Sequence, residues 1–586
     1  MPTKKRNFKK IAWWMGGVLL LLIVLLGGAA IYLGQKWKPL LSTKLKAGVT
    51  EASNKLYRID FKDVHLNLIS GNAVLDSITL TPDTNVYNQL KLQKKAPTHL
   101  FRIKLAHLKL SRVGILGAYF NKKIKMNAIV LDHPSIDMIY HKVAKHKANK
   151  DDRTLYQQLS KSIRSIRIGS IRIVDADFDY YNGTKKLNAI EHLTVNVRDV
   201  LIDSLADQDS TRVFYAKDMG FALNGYQSVT KDKMYTLKLD TLEGSISKKT
   251  LKVRGLKVIP RYPDLAFSRM YKEQKDRYDL NFKAINLSGI DFVGLNNDGE
   301  LHVKKLELGP AKVGVFMNRE LPPPNFDKGR NYPHVAIKRL PIQTLVDTLQ
   351  INQVDVAYTE YNPQAQERGT VRLENLGGRI LNVTNDSTRL LTHGHALANL
   401  TTYVMGKGKM NVKIDFDLNA ADAAFAYTGT VGPFNLQVLN PLSKSLGLIE
   451  IESGQVQKVD FAVKANVRRS NGSMHFYYTD LKVKLLKKDD EGQKKEKGLL
   501  SFLANTLLIK NDNPRKGEAG RTAKIAYERV PQASFFNLMW KSIFTGMRET
   551  AGIGIVPMKK MPNPKSGPPK AQGKKERETP KKKTKS

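Results

Sequence analysis

Apolar residues recur along this chain at i, i+2, i+5 and i+7. The pattern runs through Ile59-Phe61-Val64-Leu66, Ile103-Leu105-Leu108-Leu110, Ile124-Met126-Ile129-Leu131 and Ile166-Ile168-Ile171-Ile173. It returns in Leu280-Phe282-Ile285-Leu287, Leu301-Val303-Leu306-Leu308 and Leu349-Ile351-Val354-Val356. In a regular strand i and i+2 share a face, but i+5 points to the other. One extra residue, a β-bulge, returns all four to one face and bends the strand. A tight turn between two short strands is the rival explanation. Both keep the chain mainly β, and repeated bulges predict an elongated, curved or twisted repeat sheet forming an apolar groove. The residues expected to line it are Ile103, Leu105, Ile124, Met126, Ile129, Leu131, Ile166, Ile168, Phe282, Leu301, Val303, Leu306, Leu308 and Ile351.

The pattern belongs to a longer repeat. Leu108–Tyr140 aligns without a gap on Ile285–Met317, with Leu110, Ser111 and Gly117 identical to Leu287, Ser288 and Gly294. Upstream, Tyr57 and Pro82 match Tyr235 and Pro260. Downstream, VDADFDYYN (Val174–Asn182) matches VDVAYTEYN (Val354–Asn362) at an offset of 180. Two tandem β units, 57–234 and 235–406, are expected, each contacting mainly its neighbour. A further β segment, 407–533, follows them. Some 30 strands at ~4.8 Å would make a sheet on the order of 150 Å long.

A different feature sets location. Ile11–Leu33 is 23 residues without a charge, long enough to cross a ~30 Å hydrocarbon core as a helix. Trp13, Trp14 and Tyr32 sit where amphipathic rings favour an interface, with Leu20, Leu22 and Leu25 between them. A cleaved signal peptide has a core of about 7–15 residues, so one N-terminal transmembrane anchor, 11–33, is the expectation. Residues 1–10 are basic, but Lys36, Lys38, Lys44 and Lys46 follow the segment, so the charge bias on orientation is weak. Within 34–56, Pro39–Tyr57 reads as a short amphipathic helix, with Leu41, Leu45, Val49, Ala52 and Leu56 on one stripe. A second such helix is expected within 534–552, where Phe536, Trp540, Ile543 and Met547 recur at helical spacing. That helix either meets a membrane or partner, or caps the sheet.

The formal net charge is +42, part of it on the Pro/Lys-rich tail 553–586, which reads as disordered. Such a body is expected either to attract anionic surfaces or simply to present a solvated, soluble surface. Cysteine is absent, which excludes disulfides and thiolate chemistry. His141 and His146 lack ligand spacing, His393 and His395 could share a strand face but have no acidic partner nearby in the sequence, and GKGK at Gly406–Lys409 lacks the P-loop frame. No catalytic, cofactor-binding or metal residue is therefore singled out, and an enzyme is not expected.

The helix KPLLSTKLKAGVTEASNKL, the following FKDVHLNLISGNAVLDSITLTP, and the paired phrases IVLDHPSIDMI and IRIGSIRIVDADFDYYNG resemble the AsmA-like envelope proteins, including the TamB and YhdP types. The resemblance covers about Ile11–Gly552 and rests on degenerate apolar patterns. It implies a single-pass protein of the Gram-negative inner membrane with its bulk in the periplasm, related to bridge-like lipid transfer proteins. The implied role is phospholipid transport or lipid homeostasis between inner and outer membranes through an apolar β-groove. The alternative is an envelope assembly factor or scaffold aiding outer-membrane protein biogenesis. The implied partners are membrane phospholipid, the membrane itself and, in the alternative, outer-membrane proteins. A single anchor with its N-terminus inside would leave the basic tail outside the cytoplasm, so no nucleic acid is expected.

Overall fold

The computed structural model describes residues 37–552, apart from 68–69, 94–95, 115–119, 142–155, 158–159, 161–162, 210, 214, 364–365, 448, 489–493 and 497–509. The expected anchor, with Trp13, Trp14, Leu20, Leu22, Leu25 and Tyr32, lies outside these residues, as does the basic tail. Among the described residues no helix is long and apolar enough to cross a membrane.

The strands are β1 (Tyr57–Asp60), β2 (Asp63–Asn67), β3 (Asn72–Pro82), β4 (His99–Ser111), β5 (Lys123–Asp132), β6 (Ser135–Tyr140), β7 (Ser165–Asn182), β8 (Lys185–Ile202) and β9 (Ala216–Val229). Then come β10 (Tyr235–Ser245), β11 (Thr250–Pro260), β12 (Arg277–Ile290), β13 (Leu301–Leu308), β14 (Ala311–Asn318), β15 (Thr344–Asn362), β16 (Glu367–Thr384) and β17 (His395–Val404). The last are β18 (Gly408–Asp417), β19 (Phe425–Val431), β20 (Phe434–Asn435), β21 (Ile449–Ala465), β22 (Arg469–Lys488), β23 (Lys494–Glu496) and β24 (Thr522–Glu528). They build one large mixed sheet of 23 strands, with β23 paired to the end of β22.

Most neighbours are antiparallel, and one departure occurs twice. β4 pairs with β5 and β6, which together make one rung, and both lie parallel to β7. In the same way β12 pairs with β13 and β14, both parallel to β15. Smaller details repeat as well. Tyr57 pairs with Pro82 and Tyr235 with Pro260. The Tyr57 hydroxyl accepts the Phe101 N–H at 3.1 Å, and the Tyr235 hydroxyl the Tyr278 N–H at 3.2 Å. Asp177 accepts the His192 N–H at 3.4 Å, and Asp355 the Asn375 N–H at 2.9 Å. This last match lies at an offset of 178, two residues short of the motif match at 180. A slip of two leaves every side chain on its own face, so letters alone do not distinguish the two registers.

In Ile59–Leu66 the recurring pattern is a break between two short strands, β1 and β2, and in its other six occurrences it is a crease within one strand. Between apolar residues i+2 and i+5, each strand puts two residues in a row outside that face. In β4 these are Ala106 and His107, both exposed, between buried Leu105 and Leu108. Opposite them in β3 stand Asp76 and Ser77. The line continues through the β5–β6 break at His133–Pro134, Asn224–Gly225 in β9, Arg254–Gly255 in β11, the β13–β14 break at Gly309–Pro310, and Asn352–Gln353 in β15. Many of these positions have left-handed backbone, among them Ser77 (φ 53°), His133 (49°), Gly225 (76°), Gly255 (64°) and Gln353 (50°). A second crease crosses the strands at Asn127–Ala128 and Gly169–Ser170. A Cβ on Gly169 would stand 2.7 Å from the Asn127 carbonyl oxygen, so the backbones come too close for a side chain. Because neighbours bend in the same row, the pairing register of β5 with β7 stays constant across the second crease. Register slips appear in β7 between Ile173 and Ala176 and in β15 between Ile351 and Val354.

The sheet is shorter than expected. Strands reach 18 residues in β7 and β8, 19 in β15 and 20 in β22, which spends chain on width. About nineteen rungs at ~4.8 Å make a sheet on the order of 90 Å.

The entry helix spans Trp37–Ala52 and stops before the expected Tyr57. Asn54 and Lys55 take left-handed backbone (φ 50° and 64°), and Tyr57 already starts β1. Val49 and Leu56 are buried together in the core, helix and turn contributing one each.

Candidate functional site

Cross-strand partners trace one apolar row through the whole sheet. It runs Val64, Leu75, Leu108, Leu131, Ile173, Val195, Phe221 and Gly244, then Leu251, Leu287, Leu306, Leu349 and Ile380. It goes on through Ala398, Ile414, Tyr427, Val463, Gly472 and Ile525. The Phe221 ring lies over Gly244, which therefore does not interrupt it.

Burial divides this row into three. From Val64 to Leu131 its side chains are buried, in a core that the entry helix and the helix Thr84–Leu92 close with Val49 and Tyr87. From Ala398 to Ile525 they are mostly buried again, beneath the C-terminal helix. From Ile173 to Ile380 the side chains are half-buried, and so are flanking Leu237, Val253, Leu256, Leu280 and Ile285. In this stretch a small cluster around Ile290, Val303 and Val346 is closed.

The expected groove residues fall on both sides of that division. Leu105, Ile124, Met126, Ile129, Leu131, Ile166 and Ile168 belong to the closed N-terminal core, with Ile103 packed against it. They are buried in one cluster with Val49 and Tyr87 of the two helices and with Val200, Ile202 and Ala216 at the ends of β8 and β9, and so line no open groove in this structure. Phe282, Leu301, Leu306, Leu308 and Ile351 lie half-buried in the central stretch, and Val303 is its buried centre.

The C-terminal helix runs Phe535–Ala551, from a Ser534 cap whose hydroxyl accepts the Asn537 N–H at 3.2 Å. Leu538, Ser542, Gly546 and Thr550 are buried, and the helix packs on β22 and β24. The expected stripe of Phe536, Trp540, Ile543 and Met547 is turned inward. It walls a cavity of about 260 Å³ whose other side is Leu373, Leu400, Met410, Val412, Val431 and Phe461. A second cavity, of about 820 Å³, shares Leu439, Leu442, Trp540 and Met547 with the first. Its walls also carry Arg319, Glu320, Glu360, Lys541 and Arg548. Burial holds the Lys541 ammonium below its usual pKa; Glu360 opposes this, and Arg319 and Arg548 add to it. Reading the sequence for apolar stripes missed these charges. Lys541 and Arg548, seven apart, place them on one helical face, and that spacing was the available signal.

Among the described residues no group of three or more His, Asp or Glu is placed to hold a metal ion. A scan against protein-family models and a search of curated proteins both give no match.

Proposed function

We propose that this chain is an AsmA-like protein anchored in the inner membrane, whose periplasmic body carries phospholipid between the inner and outer membranes along its apolar face. The observation that supports the reading is the central stretch of the row, where apolar side chains from Ile173 to Ile380 remain half-buried across many consecutive strands. Contiguous apolar surface left partly open to water on this scale is costly and marks a binding surface. Acyl chains laid across β8–β15 would cover it while headgroups stay wet.

Photo-crosslinking residues test this in cells. At Leu251, Phe282 or Leu306 they are expected to capture phospholipid, and at buried Ile129 and outward Lys252 they are not. Equal capture at all five positions, or none at the first three, overturns the reading.

A further inference from the structure

The cavity of about 820 Å³ beside the C-terminal helix has a chemistry that the central stretch lacks. Its volume lies in the ~300–1,000 Å³ range of clefts that bury a ligand. One part of its wall is apolar, with Leu436, Leu442, Ile451, Phe476 and Val483. Another part is cationic. Glu320 is already held by Arg269 at 2.9 Å, and Glu360 takes the Tyr358 hydroxyl at 3.0 Å and Arg319 at 3.6 Å. Lys541 and Arg548 are left over. Neither side chain makes a hydrogen bond or ion pair among the described residues, and Arg548 Nε is shut off from solvent without a partner. Glu360 acts on Lys541 through space but makes no ion pair with it. Desolvated cations without a contacting counter-charge are unfavourable, and a carboxylate or phosphate suits a guanidinium and an ammonium on one helical face.

We propose that this chamber binds a single-chain anionic amphiphile. Its carboxylate or phosphate lies between Lys541 and Arg548. Its chain runs past Leu439, Leu442 and Trp540 toward the wholly apolar cavity that shares those residues. The proposal extends the lipid reading of the sheet to its closed end and rests on that reading for the kind of chain expected. It places an anion-selective station where the central stretch offers only apolar contact.

Trp540 reports on it directly. The chain has 4 tryptophans, and replacing Trp13, Trp14 and Trp37 by Phe in the full-length protein leaves Trp540 alone. Dibromostearate is expected to quench its emission, and the methyl ester to need at least tenfold more. Millimolar inorganic phosphate is expected not to displace the acid. A phosphate-headed brominated single-chain lipid, compared with the acid, tells which head is preferred, and tighter binding than the ester by either supports the site. Lys541→Met with Arg548→Met is expected to weaken the acid tenfold or more and leave the ester unchanged. Equal quenching by acid and ester, displacement by phosphate alone, or indifference of the acid to the double substitution overturns the proposal. If the double variant does not fold, the acid–ester comparison decides alone. Lipid capture at Leu251 is independent of all these results, so failure here is distinguishable from failure of the lipid-carrier reading.

Discussion

At Arg529 one guanidinium ties distant parts of the chain together. Its side chain is 1% exposed and pairs with Asp327, and it donates to the carbonyls of Val467, Pro531 (2.7 Å) and Ala533 (2.8 Å). The Tyr332 ring lies 5.6 Å from it. Arg529→Met leaves those carbonyls without their donor, and the expected loss is about 3 kcal/mol in chemical denaturation. Arg529→Lys recovers little of it, since an ammonium cannot reach the same fork of acceptors. Two histidines carry opposite pH signs. His334 is 4% exposed, and burial holds its pKa below the usual value; its Nε2 is 3.1 Å from the Ala423 carbonyl. Folding then favours the neutral ring, so its contribution is present above pH ~6.5 and falls as pH drops toward the lowered value. The exposed His192 is raised, chiefly by its hydrogen bond to Asp175 at 2.7 Å, so its contribution is present below ~6.5 and lost as pH rises. Imidazole proton titrations by NMR should put His192 above 6.5 and His334 below it. Wild type should lose more melting temperature between pH 7.5 and 5.5 than His334→Gln does.

At the scale of elements, the C-terminal helix lies close on the sheet. A Cβ on Gly546 would stand 3.0 Å from Met474 Sδ and 3.1 Å from Ile525 Cγ1. Gly546→Leu should therefore lift the helix from β22 and β24, raise dye binding to exposed apolar surface and lower stability by about 2 kcal/mol. Gly546→Ala should do much less, because a methyl needs only tenths of an ångström. This helix was legible from Phe536, Trp540, Ile543 and Met547, since a 3.6 period survives in any context. Its inward orientation was not legible, because the same stripe suits a membrane, a partner or a sheet. The i, i+2, i+5, i+7 pattern was legible as bent strands for a similar reason: two outward residues between apolar pairs leave a local trace. Parallel pairing of β5 and β6 with β7 left no such trace. It depends on where an intervening segment delivers the chain, which no short-range spacing encodes. The strand number was overestimated because hairpins and creases look alike in sequence: the pattern Leu349-Ile351-Val354-Val356 suits two short strands as well as the single bent β15.

For the whole molecule, burial along a single row separates support from surface. Ile129 has no exposed area and Leu251 is half-buried in the central stretch. Ile129→Glu buries a carboxylate without a partner and should destabilise the N-terminal core by several kcal/mol. Leu251→Glu should fold with a loss of about 1–2 kcal/mol and yet reduce lipid capture at Phe282, measured by crosslinking beside a thermal melt. The aligned creases have a consequence for how such a protein can change in length. Deleting one residue beyond a crease would turn that half of its strand inside out against both neighbours. Adding a complete set of strands, bent in the same place, disturbs no pairing that already exists. The span of a sheet built this way is therefore open to growth by duplication of whole units and closed to growth by single residues.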